Sequence, residues 1–129
     1  MKHILLFGLL ASFAFNCFSQ SIAVNLRYVN YRIETPFSIH CEYFRTAFSK
    51  DEYKDWKPTE KQILDSISLY SENFKLDNWP NADVRASLVI VKNNKKYHYC
   101  FDQSGHFING GKIYENEKLF NFLKKYIWL

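Results

Sequence analysis

Two runs of β-forming residues separated by a pair of asparagines constrain the fold of this chain more than any other stretch. Val84 to Val91 is rich in β-branched side chains, Asn93-Asn94 supplies the positive φ angles of a tight turn, and Tyr97 to Asp102 resumes the alternation. A hairpin closed by so short a turn is antiparallel, because parallel neighbours need a crossover of a dozen or more residues. The sheet that grows from it is therefore expected to be antiparallel.

Upstream, Ile22, Val24, Leu26 and Tyr28 alternate against Ala23, Asn25, Arg27 and Val29. That is the pattern of a half-buried strand, expected to run to about Ile33. Pro36 interrupts it, and a second short alternation follows in Phe37, Ile39 and Cys41. The spacing of Phe44, Ala47 and Phe48 then points to one or two helical turns before a charged loop, Lys50 to Lys57. Further on, Gln103-Ser104-Gly105 and Gly110-Gly111 read as turns between short strands.

Two helices complete the pattern. Thr59 and Gln62 have the spacing of a capping box behind Pro58, and Ile63, Ile67, Tyr70 and Phe74 recur on one helical face. These features predict a helix over 59–76, ended by Asp77 to Asn81. Asn116 is positioned to cap a terminal helix over 116–128, with Leu119, Phe120, Phe122, Leu123, Tyr126 and Ile127 on a broad apolar face. Lys124 and Lys125 fall at its C-terminal end, where the helix dipole favours cations. The expected fold class is α+β: a single twisted antiparallel sheet of about four to five strands, with the two main helices packed on one face.

The first residues call for a separate reading. Lys2 and His3 precede an apolar run, Ile4 to Phe15, that is too short to span a bilayer, and Cys17 and Ser19 offer small side chains before Gln20. Residues 1–19 are read as a secretory signal peptide and 20–129 as a single small α+β domain. The mature chain is expected to be exported, periplasmic or secreted, with no transmembrane segment. Bulky Phe15 and polar Asn16 argue against lipidation at Cys17. Removing Lys2 lowers the formal net charge of +4 by one, a balance too mild to point to nucleic acid. Cleavage also leaves Cys41 and Cys100 as the only cysteines, and an oxidising compartment makes a disulfide their default state.

Reactive side chains concentrate in one segment, KKYHYCFDQSGHF, residues 95–107. On a strand His98, Cys100 and Asp102 share a side, yet His98 and Asp102 then stand about 13 Å apart, and His106 lies beyond the Gly105 turn. One ion with bonds of about 2 Å cannot reach both His98 and Asp102. Asp83 and Arg85 read as an ion pair that pins a strand end. The acidic residues are scattered, and Gly110-Gly111 lacks the lysine of a phosphate loop. No catalytic residue, metal site or cofactor is therefore assigned.

For recognition, the candidates are Trp56 and Trp79, in the loops flanking the long helix, and Lys95 and Lys96 at the hairpin tip. The chain reads as a non-enzymatic protein-binding module: an inhibitor, an immunity-type protein or an envelope accessory protein. Its partner is expected to be another protein of the envelope or exterior. One alternative is a small-ligand or glycan binder with an aromatic pocket between sheet and helices. Another is a metal or thiol enzyme built on His98 and Cys100, completed by His40 or Cys41.

Overall fold

The computed structural model describes residues 21–128, so the expected leader and its cleavage point lie outside the described residues. In chain order the elements are β1 (Ile22–Tyr28), β2 (Lys54–Trp56), α1 (Lys61–Tyr70), β3 (Lys75–Leu76), β4 (Val84–Lys92), β5 (Lys95–Asp102), β6 (His106–Asn109), β7 (Lys112–Glu115) and α2 (Glu117–Ile127). Among the described residues the protein is α+β, with two α-helices and one antiparallel sheet ordered β2-β1-β4-β5-β6-β7-β3. The central hairpin forms as its turn chemistry requires: Asn93 and Asn94 take φ of 51° and 67°, and Lys92 faces Lys95 across the turn.

The sheet has seven strands, not four to five. The additional strands are β2, inside the expected charged loop, and β3, inside the expected long helix. Both are two or three residues long and sit at the sheet's edges, so neither has enough length to show a period. Short charged strands are also the usual way to blunt a sheet edge.

The first helix is correspondingly shorter than 59–76. It starts with Glu60 at the N-cap and no side chain capping it, so the Thr59–Gln62 box does not form. It stops when the Ser71 hydroxyl turns back to the Ser68 carbonyl, and the chain then pairs Lys75 with Glu115. Phe74 keeps its place in the core after leaving the helix, stacked on Tyr99 with centroids 4.4 Å apart. The last helix follows its expected cap: Asn116 accepts from the Leu119 amide at 3.1 Å. The Asn116 amide group also donates to the Tyr70 carbonyl at 2.7 Å, which ties the start of α2 to the end of α1.

One sheet face carries the main core. Val24, Leu26, Ala86, Leu88, Ile90, Phe101 and Phe107 meet Ile67, Leu119, Phe120, Leu123 and Trp128 from the helical layer. Each fully buried side chain of this size contributes about 1.5–3 kcal/mol. The opposite face holds a smaller core of Val29, Phe44, Val84 and Cys100. A bulge at Arg85 sends Val84 to this second core while Ala86 stays in the first.

The lid of the second core is the segment between β1 and β2. Phe37, Ile39 and Cys41 do not form a strand there; instead Cys41–Tyr43 and Lys50–Glu52 make short 3-10 turns. Ile39 is held by single bonds, its amide to Asp83 Oδ1 at 2.7 Å and its carbonyl to the Val84 amide at 2.9 Å. That leaves Phe37 79% exposed, and the alternation has no sheet to serve. Strand β1 likewise ends at Tyr28 and not near Ile33, although the Val29 amide still reaches the Arg85 carbonyl.

Candidate functional site

The lid covers only one end of the second sheet face. Alternation along the three central strands sends Ala23, Asn25 and Arg27 of β1, Ser87, Val89 and Val91 of β4, and Lys96, His98 and Cys100 of β5 to this side. The register lines them up in rows: Ala23 with Val91 and Lys96, Asn25 with Val89 and His98, Arg27 with Ser87 and Cys100. The last row lies by the lid, where Cys41, Phe44 and Arg45 join it around a hollow of about 480 Å³. The first two rows are uncovered, with Ala23, Asn25, Lys96 and His98 exposed and Val89 and Val91 half-buried.

The sheet edge beside this face is also open. Strand β2 pairs only with Leu26 to Tyr28, so Ile22 to Asn25 have no partner strand on their outer side among the described residues. Lys57-Pro58 cannot extend β2, because proline has no amide to give to the ladder. A hollow of about 520 Å³ follows that edge, lined by Ile22, Pro58, Leu64 and Val91 among others, and it shares Asn25 and Val89 with the first. Around both stand Arg27, Arg45, Lys57 and Lys96. Of these, Arg27 is paired, by two bonds to Asp55 at 3.0 and 3.2 Å.

Cys41 and Cys100 meet at the lid end as a disulfide-capable pair, with Cα atoms 5.7 Å apart and a sequence separation of 59. His98 adjoins them. Its Nε2 lies 3.8 Å from Cys100 Sγ and 2.7 Å from Ser87 Oγ, and the donor atoms of Cys41, His98 and Cys100 all fall within 4.8 Å of one another. Desolvation of the ring against the sheet and, second, the Lys96 cation lower the His98 pKa. The imidazole is therefore neutral at neutral pH, and when Nδ1 carries the proton Nε2 accepts from the Ser87 hydroxyl.

The other candidate residues are dispersed. Trp56 stacks on Tyr126 at 4.6 Å and 15° and packs against the main core. Trp79 is 51% exposed and stacks on His106 at 4.5 Å and 11°. Lys95 lies over the Tyr97 ring on the helical side, so of the four recognition candidates only Lys96 stands on the open face. His40 is exposed and belongs to neither hollow.

A second polar cluster escaped sequence reasoning. Asp102 and His106, separated by the Gly105 turn, are joined by a 2.7 Å bond from His106 Nδ1 to Asp102 Oδ2, with Asp77 4.0 Å from Nε2. The only signal was Asp102-Gln103-Ser104-Gly105 itself, a turn that returns the chain beside the aspartate. Asp102 Oδ1 also accepts from the amides of Ser104 and His106, both at 2.9 Å. Both oxygens of the carboxylate thus serve the turn.

Arg85 is committed in the same way. Its guanidinium is 5% exposed and binds Asp83 Oδ1 at 2.7 Å, the carbonyls of Val84 and Ile33, and the Thr35 hydroxyl. This is the expected strand-end ion pair. A hollow of about 620 Å³ lies over Arg85 and Asp102, formed by the loops at that end and not by the helical layer.

Among the described residues, no helix is long and apolar enough to cross a membrane. No protein-family model, curated protein or solved structure matches the chain, so its function has to be argued from the geometry of this sheet face.

Proposed function

We propose that the protein is an exported binding module whose uncovered sheet face and open β1 edge dock an acidic protein partner. The observation that supports this most is the half-covered second face. A sheet face that only meets water carries polar side chains at alternate positions, but here Ala23, Val89 and Val91 occupy the bare rows. Three apolar side chains in a field of cations form a small apolar centre with a charged rim, the usual anatomy of a protein interface.

The sign of the rim chooses the partner. Arg45, Lys57 and Lys96 border the two hollows, whereas the charge of Arg27 is balanced by Asp55. Complementary charge speeds encounter and rejects wrong partners more than it adds affinity. The open edge of Ile22 to Asn25 adds main-chain donors and acceptors for an extended segment of the partner. In this reading residues 1–19 direct export and residues 20–129 act as one domain. The oxidised Cys41–Cys100 bond then fixes the lid that brings Arg45 to the rim. No enzymatic step is assigned.

The test is retention of a partner by the tagged protein from its own envelope fraction, repeated with Val89→Glu combined with Lys96→Glu. Loss of that partner in the variant, but not in an equally folded Leu69→Glu control on α1, supports the reading. Equal retention by all three sinks it.

A further inference from the structure

We infer that Cys41, Cys100 and His98 form a redox-gated site for a thiophilic closed-shell cation, zinc in the first instance, when the disulfide is reduced. The inference rests on donor spacing and is independent of the docking surface. Two donors on a tetrahedral zinc, one nitrogen at about 2.0 Å and one sulfur at about 2.3 Å, are separated by about 3.5 Å. His98 Nε2 and Cys100 Sγ are 3.8 Å apart, and all three donor atoms already lie within 4.8 Å. Reduction lets the two sulfurs move apart, and a turn of the Ser87 hydroxyl away from Nε2 then lets three protein ligands face one ion.

The surroundings fit such an ion. Cys100 is fully buried while Cys41 is partly accessible, so a small dithiol or monothiol reductant enters by attack on Cys41 Sγ. Two equivalents of thiol give two protein thiols and the reductant's own disulfide. Zinc then displaces the two thiol protons to solvent and binds two thiolates and the imidazole. Ser87 Oγ, 2.7 Å from Nε2, marks the polar wall of the site. Cys41 and His98 both line the 480 Å³ hollow, so the fourth position opens onto it and is filled by water. Two thiolates and one imidazole select zinc or cuprous copper over the hard cations magnesium and calcium.

Zinc stoichiometry and affinity are measured on the purified protein with and without reductant, by metal analysis and competition with a chromophoric chelator, with near-ultraviolet circular dichroism reporting the fold. The reduced protein is expected to bind one zinc and the oxidised protein none. His98→Gln weakens binding by at least about 100-fold, since even outer-shell partners of a zinc ligand are worth 10–100-fold. Cys41→Ser does the same, whereas His40→Gln leaves binding unchanged. The proposal is overturned if the reduced protein binds no stoichiometric zinc. It also fails if His98→Gln binds as tightly as the parent, if His40→Gln is the variant that loses binding, or if the reduced chain unfolds and zinc does not restore its signal.

Discussion

His106 Nδ1 donates to Asp102 Oδ2 at 2.7 Å across a turn that puts the two residues only four positions apart. With the Ser104 and His106 amides on its other oxygen, the carboxylate organises the whole β5–β6 connection. Asp102→Ala removes three charge-assisted bonds and is expected to cost about 2–3 kcal/mol in chemical denaturation. Asp102→Asn keeps an acceptor oxygen for the amides and costs less than half of that. Equal costs for the two would show that the oxygen accepting from the Ser104 and His106 amides is not what organises the turn.

Gly105 closes the same turn at φ +87°, and a Cβ there would stand 2.8 Å from the Phe120 ring. Gly105→Ala therefore meets two penalties, a backbone conformation that alanine resists and a ring that is packed on Phe101. The expected loss is at least about 1 kcal/mol, read from the denaturation midpoint. By contrast, Gly110 has nothing near its Cβ position, so Gly110→Ala loses only the backbone share.

Arg85 and Asp83 are unequal partners. The guanidinium is nearly inaccessible, while the Asp83 side chain is 44% exposed. Arg85→Ala strips donors from the Val84 and Ile33 carbonyls and the Thr35 hydroxyl, and takes a cation from above the Phe48 ring. It is expected to cost about 3 kcal/mol. Asp83→Asn still accepts from the Ile39 amide and costs about 1–2 kcal/mol. Thermal unfolding of both variants checks the order.

Tyr99 supplies a signature in alkali. Burial first, then the neighbouring Tyr97 and Tyr114, raise its pKa above the usual 10.0. Above pH 10 the unfolded chain ionises this phenol while the folded chain keeps it neutral. Its contribution is therefore fully present below pH 10 and is lost as pH rises through the folded value. Tyr99→Phe keeps the ring stacked on Phe74 and removes the ionisation. The stability difference between the two proteins should be flat from about pH 7 to about pH 9 and should shift in favour of the variant above pH 10.

Features that the sequence reveals are those decided within a few residues. Asn93-Asn94 sets its turn by local φ preference, Asn116 caps α2 with its own side chain, and alternation alone puts His98 and Cys100 on one face. What stays hidden depends on partners distant in the chain. Strand β2 exists because Asp55 and its neighbours meet Arg27 of β1, and β3 because Lys75 and Leu76 meet Glu115 and Tyr114 of β7. Phe74 keeps the helical period yet lies in the irregular segment leading into β3, since stacking on Tyr99 rewards the ring in either backbone state. The open face is hidden for the same reason. Nothing local to Val89 or Val91 tells that the lid ends at Arg45 and leaves them bare.

The proposed partner docks on this face and on the β1 edge. Hydrogen exchange of the protein, alone and with the partner recovered from its envelope fraction, locates the docking surface. New amide protection is expected to be confined to Ile22–Asn25, Ser87–Val91 and Lys96–His98 and to weaken as salt is raised, because Arg45, Lys57 and Lys96 would face an acidic surface. Protection on α1 and α2 instead, with these strands unchanged, would contradict it.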